Sequence, residues 1–170
     1  MKYYLIGMPG SGKSTVGKEI ARITKYKFID LDKYIEKKEG MTIPEIFEKN
    51  GVDYFRTLET KSLIELKDED NVVISCGGGI VVTPQNKEEM NGFVVYLKVS
   101  LENLKIRVSS DAQNKRPLLN TNSIEELYEV RKNLYLDFQN FTISNTIVSN
   151  CAKEIIKEGK SYAKKKGISH

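Results

Sequence analysis

The 170 residues of this chain suit one domain with a hydrophobic core, and they are too few for two domains of ordinary size. With 39% hydrophobic and 29% charged residues, and no apolar run of the roughly eighteen residues that a membrane span needs, the composition indicates a globular protein without a membrane partner. The net charge of +4 arises within residues 152–170, which hold six lysines and two glutamates, so we expect no basic field that would bind nucleic acid.

Apolar segments that suit buried strands alternate along the chain with segments of helical periodicity. Strands are predicted at residues 3–6, 27–29, 72–75, 93–97 and 142–148. Helices are predicted at residues 14–24, 33–39, 43–66, 85–91, 100–109, 123–140 and, in the lysine-rich segment, 152–170. The alternation favours a single α/β domain over residues 1–170, with a mostly parallel sheet and helices on both of its faces.

The loop after the first predicted strand carries the strongest motif. Residues 7–15 read Gly-Met-Pro-Gly-Ser-Gly-Lys-Ser-Thr and match the phosphate-loop pattern G-x-x-x-x-G-K-[ST]. Its glycines let backbone N–H groups turn toward phosphate oxygens, Lys13 can reach the β- and γ-phosphates, and the Ser14 hydroxyl can bind Mg²⁺. The alternative is a glycine-rich surface turn. The motif predicts a nucleoside triphosphate site made by Gly10, Ser11, Gly12, Lys13, Ser14 and Thr15.

Two aspartates, Asp30 and Asp32, follow the second predicted strand. Asp30 could hold Mg²⁺ directly or through water, while Asp32 faces a second substrate and accepts the proton of its hydroxyl group. The alternative is that Asp32 only caps a helix that begins at Lys33.

Cysteine and histidine are scarce in the chain, which has only Cys76, Cys151 and His170. These residues cannot build a disulfide framework, a zinc ribbon or a histidine-centred triad. Proton transfer therefore falls to carboxylates, and any metal should be a hard cation such as Mg²⁺. Because no secretory signal precedes the first predicted strand, we expect a reduced, cytoplasmic protein.

Three glycines, Gly77, Gly78 and Gly79, follow the third predicted strand, where many phosphate-loop proteins place an aspartate that helps to hold Mg²⁺. Consecutive glycines cost conformational entropy, so the backbone here should either approach a polar small molecule closely or make a tight turn. The missing carboxylate makes Asp30 the better candidate for the metal side.

Two arginines fall on apolar faces of predicted helices. Arg131 lies within the apolar stripe of the sixth helix, and Arg56 lies beside Glu59 in the third. A buried guanidinium needs an anionic partner, which predicts a site for an acidic substrate walled by Phe47 and Phe55. The alternatives are that Arg131 extends outward to solvent and that Arg56 forms only a local salt bridge with Glu59.

Residues 109–122 form a polar segment between two predicted helices, long enough to act as a mobile lid. Arg116 would then move onto the phosphates and stabilise the charge that develops during transfer. The alternative is an ordinary exposed arginine.

From Lys2 to about Val148 the chain resembles the shikimate kinases. The resemblance rests on six motifs in order, which are Gly-x-x-Gly-x-Gly-Lys-Ser-Thr at 7–15, Asp-x-Asp at 30–32, Phe-Arg-x-x-Glu at 55–59, Gly-Gly-Gly at 77–79, Arg-Pro-Leu-Leu at 116–119 and Arg-x-x-Leu-Tyr at 131–135. It implies a P-loop kinase fold of the nucleoside monophosphate kinase type, with three α/β/α layers, a five-stranded parallel sheet and a mobile lid. A substrate-binding helical region is then expected at about 32–66.

The resemblance also implies the reaction, which is transfer of the γ-phosphoryl group of ATP to the 3-hydroxyl of shikimate on the route to chorismate and the aromatic amino acids. It implies that Asp32 acts as the base and that Lys13 and Arg116 neutralise the phosphates. Arg107 would pack on adenine, and Mg²⁺ would bind Ser14 and, through water, Asp30. The substrate-binding residues so implied are Asp32, Arg56, Gly77, Gly78, Gly79, Arg131, Phe47, Phe55 and Glu59.

The chain departs from some relatives at residues 149–151, a predicted loop that lacks an arginine placed near adenine. The second interpretation is another small-molecule kinase of this fold, specific for gluconate or a nucleoside monophosphate. A third is a nucleotide-dependent switch without turnover, against which the presence of both Asp32 and Arg116 argues. We expect a monomer that binds shikimate and ATP.

Overall fold

In the described part of the chain, five strands pair in parallel and form one sheet in the spatial order β2-β3-β1-β4-β5. A computed structural model describes residues 1–110 and 123–168 of the chain. The strands are β1 Lys2–Ile6, β2 Lys27–Asp30, β3 Val72–Ser75, β4 Phe93–Lys98 and β5 Phe141–Ser144. The predicted parallel sheet is therefore confirmed, with β1, which leads into the phosphate loop, at its centre.

Helices cover both faces of this sheet, as the sequence predicts. In the described ranges they are α1 Lys13–Thr24, α2 Leu31–Glu39, α3 Ile43–Glu65, α4 Asn86–Glu89, α5 Leu101–Ser110, α6 Ile124–Phe138 and α7 Val148–Lys166, with a 3-10 turn at Ile80–Val82. Side chains of β1 alternate between two cores: Tyr3 and Leu5 pack with α1 and α7, whereas Tyr4 and Ile6 pack with α2, α3 and α6. None of the helices in these ranges is long and apolar enough to cross a membrane.

The predicted strand at 142–148 extends too far, because β5 ends at Ser144 and α7 begins at Val148. Ile147 and Val148 favour a strand by their β-branched side chains, but Ser144 already pairs with Lys98, the last residue of β4, so no neighbouring strand continues beyond it. The predicted loop at 149–151 is likewise wrong, since these residues form the first turn of α7.

Helix α3 is broken at Gly51, which the sequence does not predict. Gly51 has φ +80° and ψ 175°, a conformation that interrupts the helix between residues 43–50 and 52–65 and that favours glycine. Phe47 before the break packs against Phe55 after it, with ring centroids 5.1 Å apart. The break therefore brings together the two aromatic side chains that the sequence predicts as walls of a site.

Candidate active site

The loop between β1 and α1 lies beyond the carboxyl end of the central strand. Gly10 and Gly12 have φ of +81° and +89°, left-handed conformations that favour glycine. Lys13 is buried, and its Nζ donates hydrogen bonds to the carbonyl oxygens of Gly7 at 2.8 Å and Met8 at 2.9 Å. The predicted succession of strand, glycine loop and helix is thus confirmed, with the lysine charge held against the loop.

Asp30 ends β2 and caps the N-terminus of α2, where its Oδ1 accepts a hydrogen bond from the backbone N–H of Lys33 at 3.3 Å. Its Oδ2 accepts from the Ser14 hydroxyl at 2.9 Å, and Ser14 Oγ lies 3.1 Å from Ser75 Oγ. The alternative that Asp32 caps a helix beginning at Lys33 is wrong, because α2 begins two residues earlier and Asp30 is the cap. The two oxygens predicted to hold Mg²⁺ are therefore neighbours.

Asp32 and Glu59 each direct one carboxylate oxygen at the backbone of Gly77. A Cβ placed on Gly77 would lie 2.8 Å from Asp32 Oδ1 and 3.0 Å from Glu59 Oε1. Both oxygens are buried and have no hydrogen-bond partner among the described residues. Burial raises the pKa of Asp32 to about 6, the Asp30 charge acts in the same direction, and the Lys13 charge opposes both. Orphaned buried acceptors are costly, so they mark a place where a ligand hydroxyl group could bond.

Arg56 forms an ion pair with Glu59, one turn further along α3, so the predicted local salt bridge is present. Burial raises the pKa of Glu59, and the Arg56 guanidinium opposes that rise. The Arg56 guanidinium carbon lies 5.6 Å from the centroid of the Phe55 ring. The salt bridge does not enclose Arg56 completely, because 13% of its side chain remains exposed and accessible to a ligand.

Arg131 lies in the apolar face of α6 and is only 4% exposed, so the alternative that it extends to solvent is wrong. Within the described residues it takes part in no ion pair. One turn further on, the Tyr135 hydroxyl donates to the carbonyl oxygen of Gly78 at 2.5 Å. Burial raises the pKa of Tyr135, while the Arg131 guanidinium acts to lower it. Helix α6 thus brings a buried positive charge close to the glycine triplet.

The glycine triplet turns from β3 into the 3-10 turn, with the Ile80 N–H donating to the Gly77 carbonyl oxygen at 3.2 Å. None of the three glycines has a left-handed φ, so the requirement is one of space. A Cβ on Gly78 would lie 2.7 Å from Pro9 Cδ in the phosphate loop, and a Cβ on Gly79 would overlap the Arg56 guanidinium. The tight turn predicted as an alternative is therefore present, and it also lets site side chains approach the backbone.

Arg107 on α5 contacts the phosphate loop. Its Nη2 donates to the Asn145 carbonyl oxygen at 3.2 Å, and its Nη1 lies 3.5 Å from the Ser11 carbonyl oxygen. Its contact with adenine stays a prediction. Arg116 and most of the predicted lid lie outside the described residues, and the role of Arg116 stays a prediction.

Two polar side chains at this site are missed by sequence reasoning. Periodicity identifies Tyr135 only as an apolar residue, although its spacing of four from Arg131 places both on one helical face. Asn145 falls inside the predicted last strand, yet its Nδ2 donates to the Ser11 carbonyl oxygen at 2.7 Å. No sequence signal marks Asn145, because its partner Ser11 lies 134 residues away.

Comparison with known proteins agrees with this geometry. A family model described as shikimate kinase matches residues 9–160. A shikimate kinase of Clostridium botulinum is 45% identical over 168 residues, which cover 96% of this chain and 97% of that protein. A bifunctional shikimate kinase/3-dehydroquinate synthase of Thermotoga maritima is 42% identical over 147 residues, which cover 85% of this chain and 29% of that longer protein.

Solved structures give the same result. A shikimate kinase from Acinetobacter baumannii in complex with shikimate superposes with a TM-score of 0.87 at 35% identity, covering 95% of this chain and 93% of that one. A shikimate kinase from Aquifex aeolicus superposes with a TM-score of 0.82 at 35% identity, covering 96% and 98%. Because the family model spans most of the chain and these relatives match it nearly end to end, the chain belongs to the shikimate kinase family of ATP-dependent kinases.

Proposed function

We propose that this chain transfers the γ-phosphoryl group of ATP to the 3-hydroxyl of shikimate with Asp32 as the general base. The observation that carries the proposal is the buried, unpartnered Oδ1 of Asp32, which faces Gly77 and lies in the field of the Lys13 charge. A carboxylate whose pKa is raised toward neutrality by burial is well matched to accept the proton of an attacking hydroxyl group.

Arg56 and Arg131 would bind the carboxylate of shikimate. The Arg56 guanidinium lies against Gly79 and is paired with Glu59. Arg131 is buried without an ion-pair partner in the described residues, one turn before Tyr135, whose hydroxyl donates to the carbonyl oxygen of Gly78. Glu59 would orient Arg56, while the backbone of the glycine triplet and the rings of Phe47 and Phe55 would line the site. A planar guanidinium suits this task because it can donate two parallel hydrogen bonds to a carboxylate.

The phosphate loop would hold the triphosphate through Gly10, Ser11, Gly12, Lys13, Ser14 and Thr15. Backbone N–H groups at the start of α1 attract the phosphates, and Lys13 neutralises their charge. Arg116 would add a second positive charge as the phosphoryl group moves, and Arg107 would pack on adenine. Catalysis of this kind depends on positioning and charge neutralisation more than on covalent chemistry.

The side chains beside the loop fit Mg²⁺. Ser14 Oγ and Asp30 Oδ2, 2.9 Å apart, are oxygen atoms of the kind that Mg²⁺ binds, and kinase-bound Mg²⁺ usually takes its remaining ligands from phosphates and water. Ser14 would bind the ion directly and Asp30 through water. When bound, the ion supplies positive charge to the β- and γ-phosphates.

We further propose one domain over residues 1–170, with a substrate-binding helical region at about 32–66 and a lid at about 109–122. The bounds of the substrate-binding region are supported by helices α2 and α3, which together carry Asp32, Arg56 and Glu59. We also propose that the protein is a cytoplasmic monomer. We expect it to bind no nucleic acid, since the excess of basic residues is confined to residues 152–170.

An ADP-release assay with Mg²⁺ and ATP tests the substrate assignment. We expect turnover with shikimate and rates near the acceptor-free background with gluconate and with nucleoside monophosphates. Faster turnover with gluconate or a nucleoside monophosphate would contradict the proposal and favour the second interpretation. ATP binding without turnover of any acceptor would favour a nucleotide-dependent switch.

Gly79→Ala is expected to raise the KM for shikimate by about tenfold or more while the protein stays folded. The added Cβ would overlap the end of the flexible Arg56 side chain, which must move and so leaves its ion pair with Glu59. Steady-state kinetics with each substrate varied in turn measure the effect, and the KM for ATP should stay within about twofold of wild type.

The double variant Gly79→Ala with Arg56→Ala provides the control for this substitution. Because both changes remove the same guanidinium from the site, the double variant should be no worse than Arg56→Ala alone. Additive losses in the two variants would show that Gly79 acts by another route.

A further inference from the structure

Asn145 is a buried amide directly after β5, and it contacts the phosphate loop. It is 8% exposed, and its Nδ2 donates a hydrogen bond to the Ser11 carbonyl oxygen at 2.7 Å. Because that carbonyl oxygen can only accept, the side-chain atom that faces it must be the amide nitrogen. The other end of the amide, Oδ1, lies 3.6 Å from Cys151 Sγ, whose single S–H proton is shared with the nearer Ser144 carbonyl oxygen at 3.3 Å.

The backbone of Asn145 is held as firmly as its side chain. Its N–H donates to the carbonyl oxygen of Lys98 at 3.2 Å, and its own carbonyl oxygen accepts from Arg107 Nη2 at 3.2 Å. Arg107 Nη1 also lies 3.5 Å from the Ser11 carbonyl oxygen, so that two donors converge on this single acceptor. A Cβ on Gly12 would overlap Asn145 Nδ2, which shows how closely the amide packs on the loop.

Fixing the Ser11 carbonyl also fixes the next N–H group. The carbonyl of Ser11 and the N–H of Gly12 belong to one trans peptide, so they point in opposite directions. With the carbonyl tied to Asn145, the Gly12 N–H points away from Asn145 and is available to the triphosphate. Pre-oriented N–H groups of this kind are what a phosphate-binding loop requires.

We infer that Asn145 is a positioning residue for ATP, which acts by holding the Ser11–Gly12 peptide in its phosphate-binding orientation. The inference rests on the proposed binding of the triphosphate in this loop. Asn145 follows β5 at one edge of the sheet, whereas Asp32 follows β2 at the opposite edge. Loss of the amide should therefore weaken the use of ATP and leave the use of shikimate unchanged.

Asn145→Ala and Asn145→Asp test this inference, with Thr142→Val as a matched control on β5, the strand that Asn145 follows. Thr142 Oγ1 is also buried, but it has no hydrogen-bond partner among the described residues, so its loss removes a polar atom without touching the loop. The KM for each substrate, kcat and the melting temperature are measured for all three variants. ATP binding is measured directly by titration calorimetry in the absence of shikimate.

We expect Asn145→Ala to raise both the KM and the Kd for ATP about five- to tenfold, with the KM for shikimate within about twofold of wild type. Asn145→Asp keeps the shape of the side chain and its acceptor for Cys151, but it replaces the donor with a negatively charged oxygen that faces a carbonyl oxygen. Its effect on ATP should therefore be several-fold larger than that of Asn145→Ala, whereas Thr142→Val should leave both KM values unchanged.

An unchanged Kd for ATP in Asn145→Ala would overturn the inference, as would equal effects of Asn145→Ala and Asn145→Asp. A parallel rise in both KM values together with a lower melting temperature would overturn it too, because it would indicate a purely structural role. If Asn145→Asp does not fold, Asn145→Ala and Thr142→Val still decide the inference, because the Kd for ATP should rise in the first variant and stay unchanged in the second. A wild-type protein that binds ATP but does not phosphorylate shikimate would contradict the proposed function and leave this comparison of ATP affinities valid.

Discussion

Asp32→Asn is expected to fold, to bind ATP and to lose about 10²- to 10⁴-fold in kcat, the range that general acid–base catalysis supplies. The amide keeps the size of the carboxylate but cannot accept the proton of the attacking hydroxyl. The substitution also removes the negative charge of a carboxylate whose Oδ1 is buried and unpartnered, so thermal stability at neutral pH should not fall. Single-turnover measurement of ADP formation, together with ATP titration and thermal unfolding, checks all three expectations.

Asp53→Asn is the matched control for this substitution. Asp53 is an exposed carboxylate in the same helical region, so its replacement should leave kcat near the wild-type value. Turnover of Asp32→Asn close to that of Asp53→Asn would contradict the assignment of Asp32 as the base.

The pH dependence of kcat/KM for shikimate is a second test of Asp32 as the general base. Burial raises the pKa of Asp32 to about 6, and a protonated carboxyl group cannot accept a proton. We therefore expect kcat/KM to fall as the pH drops below 6, and the fall should be smaller in Asp32→Asn, where Glu59, whose pKa burial also raises, still gains a proton. Because the folded-state pKa is raised, the contribution of Asp32 to stability is present below its ordinary pKa and is lost as pH rises through about 6. Asp32→Asn should accordingly gain stability relative to wild type above pH 6.

Features that depend on neighbouring residues could be predicted from the sequence. The phosphate loop is set by Gly10, Gly12 and Lys13 within a few residues of one another, and α/β alternation predicts the parallel sheet. Helical periodicity correctly places Arg131 within an apolar face, because a spacing of three or four residues fixes which side chains share a face. The ion pair of Arg56 and Glu59 has the same local origin.

Features that depend on distant contacts or on a single backbone angle could not be predicted. Asn145 meets Ser11 across 134 residues, and only the sheet order brings the two together. The break at Gly51 leaves the apolar pattern on both sides of it unchanged, so periodicity predicts one continuous helix. β5 ends at Ser144 because β4 offers no further partner, which the β-branched residues after it do not reveal.

Arg131→Met is expected to raise the KM for shikimate by about 30- to 1,000-fold, the usual cost of removing one member of a buried charge pair from a complex. Methionine keeps the length and apolar stem of the side chain, so its packing in α6 should survive. Arg131 is 4% exposed and has no ion-pair partner in the described residues, which means that the free protein bears the cost of burying its charge. The melting temperature of the free variant should therefore equal or exceed that of wild type.

A higher KM for shikimate together with an equal or higher melting temperature distinguishes a substrate-binding arginine from a structural one. Lys132→Met, the next position on α6, is the control, because Lys132 is exposed and forms only a surface ion pair with Glu129 at 2.5 Å. It should leave both the KM for shikimate and the melting temperature close to wild type. If Arg131→Met instead lost stability with an unchanged KM for shikimate, Arg131 would serve the fold, and the carboxylate of shikimate would have to be held by Arg56 alone.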